Sequence, residues 1–146
     1  MNVIETIQQI LTDCDILDDF NGIHVDYTEG NAGEAGLFSN GANKVGEDLI
    51  GNPKYHINFT LYTGLQSANE YDRLNNSDLL LRLTYYLDRI KYVQITEDIN
   101  GTEYNGEITR ISCANALLFD YPYEDPMQGV RYQLQIGVDY TIDMEI

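Results

Sequence analysis

The chain has 146 residues, of which 43% are hydrophobic and 22% are charged, and this is ordinary usage for one globular domain. Twenty-four acidic residues outnumber eight basic ones, and the formal net charge of −16 excludes the basic surface of a nucleic-acid binder or a polybasic membrane anchor. The sequence has no positively charged leader, no apolar stretch of the ~20 residues that span a bilayer, and no CxxC pair. We therefore expect one domain over 1–146, made in the cytoplasm, with Cys14 and Cys113 as reduced thiols.

The first part of the chain predicts a short helix followed by a strand. Apolar side chains recur at three- and four-residue spacing over 2–14, which places them on one stripe of a helix. Asn2 and Glu5 stand three positions apart, as the two partners of a capping box do. Apolar and polar residues then alternate over 23–27, which predicts a half-buried strand.

Residues 29–52 have no clear periodicity and are rich in glycine and asparagine. Long stretches of this composition are usually functional loops or disordered segments, so we expect an extended loop here. A short edge strand over 44–50 is an open alternative within this stretch. Clean alternation of apolar and polar residues resumes over 54–63 and predicts a strand.

The second half of the chain predicts a helix and then a meander of strands. Leucine-rich periodicity over 78–92 follows a polar connection and the cap residue Ser77. A weak strand over 92–96, one bent strand or two over 108–121, and a long alternating strand over 130–142 come next. Two Asn-Gly steps between these segments are typical of tight turns.

The order of these elements predicts the fold class. No crossover helix recurs between successive strands, so a doubly wound parallel sheet is disfavoured. We expect an α+β fold with a mostly antiparallel sheet of four to five strands, two helices packed on one face, and a long Gly/Asn-rich loop. The sequence shows neither an internal repeat nor a domain boundary.

Few residue patterns in the chain are typical of catalysis or metal binding. His24 and His56 each fall on the polar side of a predicted strand, where a solvated side chain is the ordinary outcome. A Ser–His–Asp triad stays open, although no G-x-S-x-G step or phosphate-binding loop is present. Residues 96–107 match an EF-hand loop in part, but Thr96 replaces its first aspartate, and a hairpin is the simpler interpretation, with a weak divalent-cation site as the open alternative. We expect no enzyme activity, no cofactor and no metal.

Three segments together resemble a family of small proteins from the structural modules of tailed phages and prophages of Gram-positive bacteria. The opening NVIETIQQILTDCDILDDFNGIHVDY is similar to that family's first helix and strand. The middle YHINFTLYTGLQSANEYDRLNNSDLLLRLTYYLDRI resembles its sheet strand, acidic loop and second helix. The ending GEITRISCANALLFDYPYEDPMQGVRYQLQIGVDYTI resembles its closing strands around an "xLFD" step and an "ARYQxQ"-type strand. The stretch 29–52 has no counterpart in the family.

The resemblance implies a structural role in the virion. Members of the family are labelled minor capsid or tail-completion proteins, and they are similar in size and layout to tail terminators. It implies a single tail-terminator-like domain that forms a ring, commonly a hexamer, on the tail tube and joins the tube to the neck of the capsid. The implied partners are other copies of the chain, the tail-tube protein and a neck connector, in the virion after assembly in the host cytoplasm. No membrane and no specific nucleic acid are implied, although DNA passes through the lumen of such a ring.

Two alternatives remain open from the sequence. The first is another neck, head–tail connector or minor capsid component of the same module. The second is a small acidic cytoplasmic inhibitor or DNA mimic, which the charge of −16 also fits. In the ring, the same charge would keep DNA from adhering to the lumen, whereas in any soluble protein it favours solubility alone.

The candidate contact residues lie in predicted loops and near a predicted sheet edge. A ring needs exposed edges and segments that order on docking, so the loop at 29–52, the entry to the second helix and the final strand are the expected contact regions. The candidate interface residues are Phe38, Asn40, Lys44, Glu47, Glu70, Tyr71, Arg73, Tyr123, Arg131 and Tyr132.

Overall fold

Two helices and six strands make up the part of the chain that the computed structural model describes, namely residues 1–17, 23–25, 35–65, 70–120 and 130–144. In chain order the elements are α1 (Val3–Thr12), a 3₁₀ turn (Asp15–Leu17), β1 (Ile23–Val25), β2 (Ala35–Glu47), β3 (Pro53–Leu65), α2 (Glu70–Asp88), β4 (Val93–Ile99), β5 (Thr102–Asp120) and β6 (Val130–Ile142).

All six strands belong to one sheet with the order β1-β2-β3-β6-β5-β4. Strand β1 runs parallel to β2, and every other neighbouring pair is antiparallel. The prediction of an α+β fold is confirmed. The sheet has five strands joined by antiparallel pairs, which is the upper end of the four to five expected, and the short parallel strand β1 is a sixth. Strand β6 lies in the middle of the sheet, where it pairs with β3 on one side and β5 on the other.

The core lies on one face of the sheet, because apolar residues alternate along its central strands. Phe59 of β3 pairs with Ile136 of β6, and Leu61 pairs with Leu134, so neighbouring core side chains project from the same face. Both helices pack there: one continuous cluster joins their buried residues to those of the sheet. The helical members of this cluster are Val3, Ile7 and Leu11 from α1 and Leu80, Leu83 and Leu87 from α2.

The two helices begin and end for different local reasons. The side chain of Asn2 accepts a hydrogen bond from the backbone of Glu5, and the Glu5 side chain accepts one from the backbone of Asn2, so the predicted capping box is confirmed. Helix α2 ends at Asp88, and Tyr92 then adopts a left-handed conformation with φ of 60° that turns the chain into β4.

Three expectations are corrected here. The predicted loop at 29–52 is wrong over Ala35–Glu47, because pairing with β3 makes this Gly/Asn-rich stretch a strand despite its composition. The second helix begins at Glu70, so Glu70, Tyr71 and Arg73 are helical residues and do not precede the helix. The final strand has no free edge, since β6 is paired on both sides.

Candidate assembly interface

The tip of the β2–β3 hairpin is a turn built around one aspartate. The Asp48 carboxylate accepts hydrogen bonds from the backbone N–H groups of Ile50 (3.0 Å) and Asn52 (2.9 Å). The backbone hydrogen bond from Asn52 is the largest cause of a lowered pKa for Asp48. Gly51 closes the turn with φ of +89°, a conformation that glycine adopts readily. The turn therefore has a defined shape, and the Asn52 side chain ties it to the end of the sheet by accepting the backbone N–H of Met144 at 3.2 Å.

This turn presents two large apolar side chains to solvent. Leu49 is 106% exposed and Ile50 is 83% exposed, and Val45 on the adjoining strand is 61% exposed. Isolated apolar residues on a surface are ordinary, but two consecutive, almost fully exposed ones at a hairpin tip are candidates for a contact site. We call residues 38–54 the hairpin arm.

The outer edge of β2 is open along most of its length. Strand β1 pairs only with Ala35–Leu37, so in the part of the chain that the structure describes the next ten residues have no neighbour on this side. Register shifts between Ser39 and Ala42 and between Lys44 and Gly46 interrupt the strand. Bulges and a lysine are devices by which proteins keep an open edge from pairing indiscriminately. The edge can therefore pair with another molecule, but its bulges and its lysine restrict which strands fit it.

The four candidate residues on this arm are held in distinct ways. The ring of Phe38 packs edge-on against Tyr62 at a centroid distance of 5.4 Å. The Asn40 side-chain amide donates to the hydroxyl of Thr60 at 2.9 Å. Lys44 and Glu47 form a half-exposed ion pair at 3.1 Å. Phe38 and Asn40 therefore lie against β3, whereas Lys44 and Glu47 project from the arm.

The structure does not bring the remaining candidates into this site. Tyr132 is only 4% exposed because it belongs to the core face of β6, so its assignment as a contact residue is wrong. The backbone of Arg131 pairs with Gly64 and Asp120 inside the sheet. The structure does not describe the side chains of Arg131, Glu70, Tyr71 and Arg73, nor any part of Tyr123.

An apolar groove of about 460 Å³ adjoins the arm and was not predicted from the sequence. Tyr55 and Tyr140 stack in it at a centroid distance of 5.5 Å, and burial raises the pKa of Tyr140 to about 12. Tyr92 and Val45 complete its apolar lining. The alternation of β3 and β6 indicated a shared face for the two stacked tyrosines, but no local pattern placed Tyr92 or Val45 beside them.

A polar cluster occupies the sheet face that is opposite to the core. The Nδ1 atom of His56 lies 2.6 Å from the Asp139 carboxylate, and its Nε2 atom lies 2.9 Å from the Asn58 side-chain oxygen. These bonds raise the pKa of His56, with the Asp139 bond as the largest cause. Ser112 lines the same cavity of about 130 Å³. Since both ring nitrogens of His56 contact other partners, the imidazole is not paired with the Ser112 hydroxyl as a triad would require.

The partial EF-hand match at 96–107 is the hairpin between β4 and β5. Asn100 and Gly101 form its turn in left-handed conformations, and Asp98 accepts a hydrogen bond from the backbone N–H of Gly101 at 2.8 Å. Within the described ranges, no group of three or more His, Cys, Asp or Glu residues is arranged to hold a metal ion.

No family model matches the chain, and no curated protein matches it. Among the described residues, no helix is both long enough and apolar enough to cross a membrane.

Proposed function

We propose that this chain is a structural protein of a tailed-phage virion, a tail terminator or tail-completion subunit that forms a ring on the tail tube and joins it to the neck. The observation that carries an assembly role is the hairpin arm, which exposes Leu49 and Ile50 at its tip and an open strand edge along its side. The tail context rests on the three sequence segments that resemble the phage family.

Three features of the arm support contact with another folded protein. Its tip is apolar but rigidly turned by Asp48, so little conformational entropy is lost on docking. Its bases, Lys44 and Lys54, balance its acids, Glu47 and Asp48, in a chain whose net charge is −16. A neutral apolar surface approaches another copy of this acidic chain with less repulsion than the rest of the molecule does.

The test is the mass of the purified protein by light scattering, first alone and then with the tail-tube subunit from the same genome. We expect a ring-sized oligomer, either alone or at the tips of tubes viewed by electron microscopy. The double variant L49D/I50D should remain folded but fail to assemble, because it places charge on the contact patch. Leu81→Asp is the matched control, since it changes another exposed leucine, on α2. A wild-type chain that stays monomeric and leaves tube tips uncapped would contradict the proposal.

A second candidate function is an acidic inhibitor that imitates DNA. Residues 93–107 contain four acids and no base, which gives the β4–β5 hairpin a purely negative surface. A mimic of this kind would bind a basic DNA-binding protein as a monomer or dimer and would ignore tail tubes. The same light-scattering experiment, repeated with a DNA-binding partner, separates the two functions. Another neck or connector component is distinguished by binding the portal side and leaving the tube uncapped.

A further inference from the structure

The charges of the sheet are divided between its two edges. The β2–β3 hairpin lies at one edge, and its two lysines and two acids sum to zero. Strand β4 lies at the opposite edge, and the segment 93–107 that contains it has only acidic charges. The β2–β3 hairpin has no net charge and therefore does not repel a negative surface, whereas the segment 93–107 at the other edge presents a negative surface.

The opposite edge contains a cleft between the start of α1 and the β4–β5 hairpin. Its volume is about 370 Å³, and its lining includes Glu5, Glu97, Asp98 and Glu103 together with the exposed side chain of Met1. The cleft is thus negatively charged, with one apolar side chain at its rim.

Two of the acids in this cleft already have roles in the fold. Glu97 accepts a hydrogen bond from the backbone N–H of Val3 at 2.8 Å, and Glu5 belongs to the capping box of α1. The α-ammonium group of Met1 donates to the hydroxyl of Thr96 at 3.1 Å. Asp98 accepts the backbone N–H of Gly101 in the turn, and both Asp98 and Glu103 are exposed to solvent beside that turn.

Asp98 and Glu103 are directly opposite each other in the β4–β5 ladder. Like charges at directly opposed positions destabilise a sheet, so this pair is a local conflict within the monomer. Among the described residues, the ion pairs are Lys44–Glu47, His56–Asp139 and Arg82–Asp78, and none of them includes either acid. The lining already supplies a positive charge through the α-ammonium group of Met1, and a second cation, from another molecule, would relieve the repulsion further.

We propose that the hairpin arm of one copy docks against this cleft in the next copy, so that Lys44 lies between Asp98 and Glu103 while Leu49 and Ile50 pack on Met1. Lys44 is available for this contact because its ion pair with Glu47 is half-exposed and spans three residues, a geometry that stabilises little. The inference rests on the proposed ring function and names the two surfaces that form the ring contact.

The arrangement is head-to-tail, since the arm of one copy meets a different surface, the cleft, of the next copy. Head-to-tail contacts close into a ring when the rotation between copies permits and otherwise form filaments. Contact between two arms would instead produce a two-fold dimer, and contact between two clefts would bring like charges together. Repetition of one arm–cleft contact from copy to copy therefore builds a ring or a filament, whereas reciprocal arm–cleft pairing of two copies would give a two-fold dimer.

Charge reversal provides the test. K44E should weaken self-association by about tenfold or more, because it replaces an attraction by a repulsion. E103K should also weaken it, because the new lysine repels Lys44 and pairs with Asp98 across the ladder. An equimolar mixture of K44E and E103K should regain assembly, since alternating copies then have opposite charges at every contact. The double variant K44E/E103K should assemble for the same reason. Lys91→Glu is the matched control for an exposed lysine outside both surfaces, and added salt should weaken wild-type assembly.

The outcomes separate the inference from the proposed function. If the wild type assembles and neither single variant is weaker, the docking of Lys44 is overturned while the ring function stands. If K44E is weaker but its mixture with E103K does not recover, the arm contacts some other surface and the inference is again overturned. If the wild type assembles neither alone nor on tubes, both proposals fail. Unfolding curves of each variant show whether a loss of assembly comes from a loss of fold.

Discussion

The imidazole of His56 on β3 lies 2.6 Å from the carboxylate of Asp139, its direct cross-strand neighbour on β6. The other ring nitrogen faces the side-chain oxygen of Asn58 at 2.9 Å. An imidazolium donates to both oxygens, whereas a neutral ring donates to only one. The folded chain therefore favours the charged form of His56.

The His56 pair predicts a specific pH dependence. Because the pKa of His56 is raised above its ordinary 6.5, the pair's stabilisation is complete below about pH 6.5 and is lost as the pH rises through the folded-state pKa. Both side chains are partly exposed, so the effect should be below about 1 kcal/mol. NMR titration of the imidazole measures the pKa of His56, and unfolding curves at several pH values measure the pH dependence of the free energy of unfolding. His56→Gln should remove this dependence, and an imidazole pKa at or below 6.5 would contradict it.

Thr63 predicts a stabilising substitution. Its hydroxyl is fully buried and has no hydrogen-bond partner among the described residues. Thr63→Val keeps the shape and removes the unpaired polar group, so we expect a gain of about 1 kcal/mol in the free energy of unfolding. Thr60→Val is the control, because the Thr60 hydroxyl accepts from Asn40, and it should lose about 1 kcal/mol. Urea unfolding measures the change in the free energy of unfolding for each variant. A change of the same sign in both variants would contradict this prediction.

Two glycines predict different responses to alanine. A Cβ at Gly106 would lie 2.6 Å from the backbone oxygen of Thr141, whereas one at Gly137 would meet the side chains of His56 and Ser112 at 3.0 and 3.1 Å. Side chains can rotate away but the backbone of a paired strand cannot, so Gly106→Ala should be the more destabilising, by about 1–3 kcal/mol. Thermal unfolding of both variants tests the ranking. Gly137→Ala should also shift the NMR signals of His56.

The two thiols should resist alkylation in the folded protein. Cys14 is fully buried, and burial raises the pKa of Cys113 from its ordinary 9.0 to about 12, so almost no thiolate is present at neutral pH. Iodoacetamide labelling followed by mass spectrometry should find both unmodified without denaturant and both modified in denaturant. Rapid labelling of Cys113 in the native state would show that its surroundings open.

The regular elements were predictable from periodicity. The alternation over 54–63 and 130–142 corresponds to β3 and β6, because each of these central strands has one face on the core and one face away from it. The same alternation put Tyr132 on the apolar face, which is where it lies. Its assignment as a contact failed because sequence does not reveal strand order, and β6 is central rather than at an edge.

The arm itself was the least predictable part. From Asn40 to Gly46 the residues of β2 are exposed, so no apolar periodicity marks them, and they form a strand only because β3 pairs with them. The first turns of α2 were missed for a related reason. Asn75, Asn76 and Ser77 favour turns locally, but Asn76 is buried within the helix and tertiary packing continues it.

The central place of β6 dictates when this fold can form. Strand β6 follows both of its neighbours along the chain, and among the described residues β3 and β5 share no ladder without it. Until β6 has been made, no ladder joins the half-sheet of β1, β2 and β3 to that of β4 and β5, and α1 contacts β1 in one half and β4 in the other. The complete sheet therefore forms only after β6 has been made, and since its pairings span distant residues, we expect folding to be slow. During that interval the unpaired edges and apolar faces of the half-sheets are exposed to aggregation, and a chaperone that covers them would raise the yield of folded protein.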